Sequence, residues 1–204
     1  MTWVKEKYYR IVLIKKLILI FNTFFIFFII TNIAFADLKN NLINKLISTE
    51  TLVFNFKQII SEKEETGDCY IKYPLLMKCN YNNVKEKIII SNGKTVAIIK
   101  KKYKKIYYYP IETTPLFTIL NKEKILNLVK DNKPSKISSD EIEFEFIDKK
   151  MNKLVIFFDK NTLNLSGWNT SDAYSNEVSF MISDLKTNNE IDEDFFKIPY
   201  EKDL

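Results

Sequence analysis

The residue types that most often carry chemistry are scarce in this sequence. It has no histidine, the commonest general base and a frequent metal ligand, and only two cysteines, Cys69 and Cys79. Their spacing is not that of a structural zinc site, and the chain has neither a glycine-rich phosphate loop nor a nucleophile elbow. We therefore predict a binding protein, with no enzyme activity, no metal ion and no cofactor.

Acidic residues form two arrangements that resemble catalytic pairs. Glu64 and Glu65 are adjacent, whereas Glu141, Glu143 and Glu145 alternate with apolar residues. The first arrangement is typical of a solvated loop and the second of the solvent face of a strand, since charged side chains are rarely buried. We expect neither group to be catalytic.

The first 36 residues have the features of an export signal. A basic segment ends at Lys16, an apolar stretch follows, and Ala34-Phe35-Ala36 places small residues at a cleavage site before Asp37. The alternative is an uncleaved membrane anchor, because residues 17–36 are about long enough to span a bilayer. We predict a cleaved signal peptide at 1–36 and one domain at 37–204 that works outside the cytoplasm.

The positive charge of the chain is concentrated in this leader. Residues 1–36 hold five of the 31 basic residues and one of the 26 acidic residues, so the remainder carries a net charge of only +1. That balance argues against a nucleic-acid partner. The run from Lys100 to Lys105 contains five lysines and Tyr103. It is typical of a hairpin turn kept soluble by charge, and the alternative is a surface for anionic lipid or an acidic partner.

The two cysteines flank Pro74-Leu75, which is typical of a turn between strands. Cys69 and Cys79 then lie almost opposite each other and on the same face. Cross-strand neighbours can be within disulfide reach, and disulfides persist in an oxidising compartment. We predict a disulfide here, with two free buried thiols as the alternative.

Alternation of apolar and polar residues predicts a mainly β fold. The strands indicated are 52–56, 69–73, 77–81, 87–91, 95–99, 103–109, 141–147, 154–158, 163–168 and 177–185, with a tight hairpin at Asn92-Gly93. One long helix is expected from Thr114, as its cap, through Leu128, and a short one at 38–47. Short strands with frequent turns favour a strongly curved antiparallel sheet or barrel, whose apolar face is either a filled core or a lipid cavity.

Five short segments follow one another in the order and spacing of a known family. They are Phe54-Asn55-Phe56-Lys57-Gln58, Gly67-Asp68-Cys69-Tyr70-Ile71-Lys72-Tyr73-Pro74, Ile89-Ile90-Ser91-Asn92-Gly93-Lys94-Thr95, Thr114-Pro115-Leu116-Phe117 and Asp194-Phe195-Phe196-Lys197-Ile198-Pro199. Together they resemble the outer-membrane lipoprotein carrier protein family, LolA. The third segment is similar to the family's Val-Ser-Asp-Gly-Lys hairpin, and the fourth to its Thr-Pro helix start.

The resemblance implies an α+β fold, mainly β with α: a half-open, strongly curved antiparallel β-barrel with a helical lid over a hydrophobic cavity. It further implies a chaperone in the periplasm of a Gram-negative cell. Such a carrier takes triacylated lipoproteins from an inner-membrane ABC-type release complex and delivers them to an outer-membrane receptor lipoprotein. We expect it to act as a monomer.

One residue departs from the family pattern. Tyr73 stands where the family has an arginine before the proline, and that arginine is thought to hold the lid by hydrogen bonds to the helices. The resemblance therefore implies that Tyr73 contacts the lid. Because a tyrosine hydroxyl can donate one hydrogen bond but has no charged fork, we expect the closed lid to depend more on packing.

The lysines predict which face of each strand lines the cavity. Lys72 and Lys78 are expected to face solvent, which turns Ile71, Met77 and both cysteines inward, and Lys87 and the glutamates orient their strands in the same way. The predicted lipid-binding residues are Leu52, Phe54, Phe56, Ile71, Met77, Ile88, Ile90, Leu116, Phe117, Leu120, Ile142, Phe144 and Phe146.

Three functions are compatible with these features. The first is a lipoprotein chaperone, and the second is a related envelope protein that senses or binds lipid without shuttling. The third is an anchored structural domain with a filled core. An uncleaved leader would favour the last two, because a shuttle must diffuse across the periplasm.

Overall fold

The computed structural model describes residues 15–19, 21, 37–83, 85–147, 153–171 and 176–204. The chain divides into two compact units, Met1–Asn41 and Leu42–Leu204. The described residues of the first unit are all helical, and most of the predicted signal peptide, including its cleavage site, lies outside the described residues. No helix in the described part of the chain is long and apolar enough to cross a membrane.

The second unit is built on one antiparallel sheet of eleven strands. The strands are β1 (Thr51–Ile60), β2 (Lys63–Lys72), β3 (Leu76–Tyr81), β4 (Lys87–Asn92), β5 (Thr95–Lys100), β6 (Lys105–Pro110), β7 (Lys136–Ile137), β8 (Glu141–Ile147), β9 (Lys153–Asp159), β10 (Leu165–Ser171) and β11 (Glu177–Thr187). The short β7 is the one strand among them that sequence alternation does not predict.

The order of the strands in space follows their order in the chain, with one exception. Strands β1 to β6 lie side by side, β7 to β11 do the same, and β1 pairs with β11 to join the two halves. Strands β6 and β7 are therefore the two edges of a curved antiparallel sheet. This arrangement confirms the predicted mainly β fold with its half-open antiparallel sheet.

In the part of the chain that the structure describes, three α-helices accompany the sheet. Helix α1 covers residues 37–48, of which Leu42 onward belong to the second unit, and α2 (Leu116–Leu120) and α3 (Lys122–Asp131) connect β6 to β7. The prediction of one continuous helix from Thr114 is wrong, because Asn121 leaves the helical conformation and its Oδ1 accepts a hydrogen bond from the Lys124 backbone at 3.0 Å. The cap prediction is also wrong, because the Thr114 hydroxyl donates to the Ile111 carbonyl at 2.8 Å instead.

The hairpin between β4 and β5 forms at Asn92-Gly93 as predicted. Gly93 has a φ of +92°, which a glycine adopts without steric cost. The Asn92 side-chain oxygen accepts hydrogen bonds from the backbone of Lys94 and Thr95, at 3.1 and 2.9 Å. Asn92 and Gly93 therefore determine the conformation of this turn.

The sheet has two faces with different neighbours. We call the inner face the one that carries Leu52, Phe54, Phe56, Ile71, Met77, Phe144, Ile156, Phe158, Trp168 and Phe180, and the outer face the opposite one. All ten inner-face residues are at most 5% exposed. On β8 the intervening Glu141, Glu143 and Glu145 point to the outer face, as the sequence predicts.

The placement of Ile88 and Ile90 on the inner face is wrong. Ile90 pairs with Lys78 across the β3–β4 ladder, whereas Met77 pairs with Ser91, so both isoleucines lie on the outer face. The prediction depends on Lys87 facing solvent, and this premise is wrong. Lys87 lies on the inner face, because a carboxylate is there to pair with it.

Ile88 and Ile90 belong to a second apolar cluster beneath the C-terminal segment, which we define as Ile191–Leu204. Ile90, Ala97, Ile99 and Ile106 are buried together, with Ile88, Ile198 and Leu204 packed against them. Nearer the start of this segment, the Phe195 ring lies edge-on to Tyr70 with their centroids 4.9 Å apart. The C-terminal segment therefore covers part of the outer face of the sheet.

Candidate functional site

An apolar, largely aromatic surface occupies the middle of the inner face. Phe56 stacks on Phe180 and meets Tyr81 edge-on, with both centroid separations at 4.8 Å. Phe180 in turn stacks on Trp168, with the two ring centroids 4.1 Å apart. The sequence analysis named Phe56 but not the other three, although alternation along 177–185 would have selected Phe180.

Gly67 makes room for this aromatic group. It pairs with Phe56 across β1 and β2, and a Cβ atom at this position would come within 2.8 Å of the Phe56 ring. Such an approach is far closer than ordinary van der Waals contact. The same Cβ atom would lie 1.9 Å from the Asn80 backbone oxygen, so both the neighbouring backbone and the Phe56 ring require a glycine at this position.

The structure brings most of the predicted lipid-binding residues to one buried surface. Leu52, Phe54, Phe56, Ile71, Met77, Ile142 and Phe144 lie on the inner face, and Leu120 of α2 is fully buried. Phe146 on β8 and Leu116 and Phe117 on α2 are half-buried. Whether these residues bind lipid stays a prediction, and Ile88 and Ile90 lie elsewhere.

The disulfide lies within the same inner face. Cys69 and Cys79 are directly opposite partners on β2 and β3, and the structure joins them, with their Cα atoms 4.1 Å apart. Both are at most 2% exposed. Phe54 on β1 pairs with Cys69 on β2, so the disulfide links β2 to β3 directly beside the aromatic surface.

Backbone hydrogen bonds attach the helices to the turn between β2 and β3. The Leu75 N–H donates to the Leu120 carbonyl at the end of α2, at 2.9 Å, and the Ser91 hydroxyl donates to the Leu75 carbonyl at 2.6 Å.

The Tyr73 N–H donates to the Glu50 carbonyl at 2.9 Å. Burial raises the pKa of the Tyr73 phenol, which therefore remains a neutral hydrogen-bond donor. The predicted lid contact of its hydroxyl stays a prediction.

Helix α3 rests on the sheet and on the end of α1. Ile125 and Val129 are its buried residues, and the helix contacts β8, whose Ile142 and Phe144 are buried on the inner face. The Lys122 ammonium donates to the Ile47 carbonyl at 2.6 Å. The helices are therefore held mainly by apolar packing and a few backbone contacts.

A polar cluster that the sequence does not predict closes one end of the inner face. It consists of Gln58, Glu65, Tyr81, Asn83 and Lys87, and the prediction of a solvated loop at Glu65 is wrong, because this residue lies on β2 and pairs with Lys87. The Tyr81 hydroxyl donates to Gln58 Oε1 at 2.6 Å, Asn83 Nδ2 donates to Glu65 Oε1 at 3.0 Å, and Lys87 forms an ion pair with Glu65. The Lys87 ammonium also lies 3.6 Å from the Tyr81 ring centroid.

The pKa values within this cluster are shifted in a consistent way. Burial opposes ionisation of Glu65, but the hydrogen bond and charge of Lys87 outweigh it and lower its pKa. Burial lowers the pKa of Lys87 despite the nearby Glu65, and burial together with Glu65 raises the pKa of Tyr81. Near neutral pH the cluster thus holds a charged pair beside a neutral phenol.

The clefts beside this cluster are polar. One of about 380 Å³ is lined by Lys63, Glu64, Glu65, Thr66, Asn82, Asn83 and Lys85. The apolar inner face itself is closed by its own side chains and the helices. Across the described residues, no three histidine, cysteine or acidic side chains come together as a metal site would require.

Comparison with known proteins identifies the family. A search of curated proteins finds no match. Solved structures with a similar fold include a LolA superfamily protein from Nitrosomonas europaea, with 8% identity, a TM-score of 0.39, and coverage of 74% of this chain and 90% of that one. The MucA/MucB complex of Pseudomonas aeruginosa gives 11%, 0.46, 81% and 62% for the same quantities.

A third similar structure is a putative outer membrane lipoprotein-sorting protein domain from Vibrio parahaemolyticus, with 10% identity, a TM-score of 0.41, and coverage of 72% and 89%. The family model described as outer membrane lipoprotein carrier protein LolA matches residues 47–199, which include the whole sheet and the helices α2 and α3. The chain therefore belongs to the LolA family.

Proposed function

We propose that this protein is a periplasmic chaperone that binds the acyl chains of lipoproteins and carries them between membranes. The observation that carries the proposal is the buried aromatic surface around Phe56, Trp168 and Phe180, in a chain whose family is that of lipoprotein carriers. Each CH₂ group kept from water contributes about 0.8 kcal/mol, so an apolar face of this kind is a suitable place for acyl chains.

Acyl chains reach this face only if the helices move. Helix α2 has five residues, and its C-terminal end is bonded to the β2–β3 turn through Leu120 and Leu75. Leu116 and Phe117 are half-buried and so are available at the surface of the lid. In this proposal α2 and α3 swing away from the sheet, and the acyl chains replace the contacts that the helices made.

The proposed partners follow from this role. Triacylated lipoproteins are the cargo, an inner-membrane ABC-type complex releases them, and an outer-membrane receptor lipoprotein accepts them. A carrier that crosses the periplasm also requires that the leader at 1–36 be removed.

The release of a lipoprotein from membranes tests the proposal. Energised inner-membrane vesicles that contain a labelled triacylated lipoprotein and an active release complex are mixed with the purified protein. We expect the label in a soluble one-to-one complex. Label that stays in the membrane, with the release complex shown to be active on another carrier, contradicts shuttling and favours an envelope protein that only senses or binds lipid.

A lid variant makes this experiment specific. Phe117→Asp places a charge on the half-buried surface of α2 without entering the buried inner face, and we expect it to reduce the yield of soluble complex. Tyr200→Asp introduces the same charge at an aromatic residue that is 73% exposed, and it serves as the control. Equal yields from the two variants would contradict a role for α2 in cargo binding.

A further inference from the structure

The edge of the sheet at β6 carries an unusual number of exposed aromatic side chains. Tyr107, Tyr108 and Tyr109 are consecutive on this strand and are 43–54% exposed. Tyr103 in the preceding turn is 53% exposed. Because aromatic residues are normally packed in a core or an interface, four exposed tyrosines along one edge require an explanation.

Positive charge surrounds these tyrosines. Lys100 ends β5, Lys101 to Lys104 form the turn, and Lys105 begins β6. Within the described residues, no acidic side chain lies within ion-pair distance of these five lysines. Burial and then the charge of Lys101 lower the pKa of Lys78, which shows that this charge is felt at neighbouring positions.

The charge is local and is not a property of the whole chain. From residue 37 onward the net charge is only +1, whereas the run from Lys100 to Lys105 contributes five positive charges within six residues. Acidic residues also lie close by: the Glu86 carbonyl accepts a hydrogen bond from the Lys101 N–H at 3.4 Å, and Glu201 Oε1 accepts one from the Ile106 N–H at 3.0 Å. That carboxylate is engaged with the backbone of the edge strand, and the lysines remain the dominant charge of the edge.

Pairing with a strand of another protein does not account for this edge. The Ile106 N–H is already occupied by Glu201, Lys104 has a left-handed conformation, and Pro110 ends the strand. Lysine and proline on an edge discourage strand addition. Protection against strand addition does not explain the four tyrosines, because exposed rings do not contribute to that protection.

We propose that the β6 edge, Lys100 to Tyr109, is a docking surface for an anionic lipid membrane. Lysines are attracted to acidic headgroups, and tyrosines place a ring at the level of the headgroups with the hydroxyl towards water. The Lys100 ammonium lies 5.0 Å from the Tyr107 ring centroid, so a lysine and a tyrosine of this edge are in contact. Tyr107 and Tyr109 lie on one face of the edge strand and Tyr108 on the other, so the rings flank the edge on both sides. The proposal does not depend on lipoprotein carriage.

Co-sedimentation with vesicles tests this surface. The full chain is expressed, and its N-terminus is sequenced so that all variants are compared with the same leader state. Vesicles of phosphatidylcholine alone are compared with an equal mixture of phosphatidylcholine and phosphatidylglycerol. We expect binding to the anionic vesicles only, and weaker binding as salt is raised, because exposed charges are screened.

Matched variants locate the contact. The double variant Lys101→Gln, Lys102→Gln is expected to weaken binding to anionic vesicles roughly thirtyfold, from about fivefold for each lysine near the surface. The double variant Lys133→Gln, Lys186→Gln removes the same charge at exposed positions outside the β6 edge and should bind as the unmodified protein does. Tyr108→Ser keeps the charge and should reduce the binding that persists at high salt.

Three results would overturn the proposal. The first is equal binding to both kinds of vesicle, which would assign the contact to the leader or the apolar inner face. The second is equal binding by the two double-lysine variants. Absence of any vesicle binding would likewise refute it and would leave an acidic protein as the occupant of this edge.

Discussion

Individual side chains on the inner face belong to the folded core as well as to the candidate site. Phe56 is 3% exposed and contacts both Phe180 and Tyr81, so its ring belongs to the closed core as well as to the proposed site. We expect Phe56→Ala to lower the free energy of unfolding by about 3–5 kcal/mol, measured by denaturant titration. The exposed Tyr200→Ala should change it by less than about 0.5 kcal/mol. A small effect of Phe56→Ala would mean that the ring is not packed as described.

The ion pair at the end of the inner face gives a pH-dependent prediction. The folded-state pKa of Glu65 is lowered, so its ionisation stabilises the fold above its ordinary pKa of 4.5, and this contribution is lost as the pH falls through the lower folded value. We expect Glu65→Gln to cost about 1–3 kcal/mol at pH 7, with the difference from the unmodified protein shrinking as the pH falls below 4.5.

Glu64→Gln is the matched control for this prediction. Glu64 pairs with Lys57 at 2.7 Å, but both side chains are about half exposed, so the pair contributes only about 0–1 kcal/mol. Chemical denaturation of the two variants across the acidic range provides the comparison. Equal losses of stability in both would show that the Glu65–Lys87 pair has no special role.

At the scale of elements, Asn121 separates two helices and caps the second. Asn121→Ala removes the hydrogen bond to the Lys124 N–H and is expected to cost about 1 kcal/mol, with faster amide hydrogen exchange in the first turn of α3. Asn127→Ala lies at an exposed position within α3 and should be neutral or slightly stabilising, since alanine favours helix. Unchanged exchange in Asn121→Ala would mean that packing alone fixes the start of α3.

The elements also show what local sequence patterns can and cannot predict. Alternation located most of the strands and placed Cys69 opposite Cys79, because side chains on a strand alternate strictly between the two faces. It did not place Ile88 and Ile90, since that prediction took Lys87 as a marker of solvent. A lysine can lie on a buried face when a distant carboxylate pairs with it, and no pattern within β4 indicates Glu65.

Part of the candidate site could likewise be predicted from the alternation of residues within single strands. Phe54, Phe56 and Met77 follow from alternation within their own strands, and the structure buries them. Phe180 and Trp168 come from strands far along the chain. Phe180 contacts Phe56 because β1 pairs with β11, and Trp168 stacks on Phe180 from β10. Long-range pairing of this kind leaves no mark in either strand alone.

At the scale of the whole second unit, the sheet supports apolar surfaces on both faces. The inner face is covered by helices, and the outer face of β4 to β6 is covered by Ile198 and Leu204 of the C-terminal segment. The C-terminal segment therefore has a protective role, because an uncovered patch of Ile88, Ile90 and Ile106 would be prone to association. Because the helices and the C-terminal segment cover opposite faces, the lid movement that we propose would not expose the outer cluster.

A truncation after Glu190 tests that separation. It removes Ile198 and Leu204 from the outer cluster and the Glu201 carboxylate from the Ile106 N–H, so apolar surface and a strand edge are exposed together. We expect the truncated protein to form oligomers in size-exclusion chromatography, to bind a hydrophobic dye and to unfold at lower denaturant concentration. The full chain with Glu201→Ala keeps the apolar cover and loses only the acceptor for the Ile106 N–H, so it should stay monomeric. A truncated chain that stays monomeric and equally stable would show that the outer cluster needs no cover.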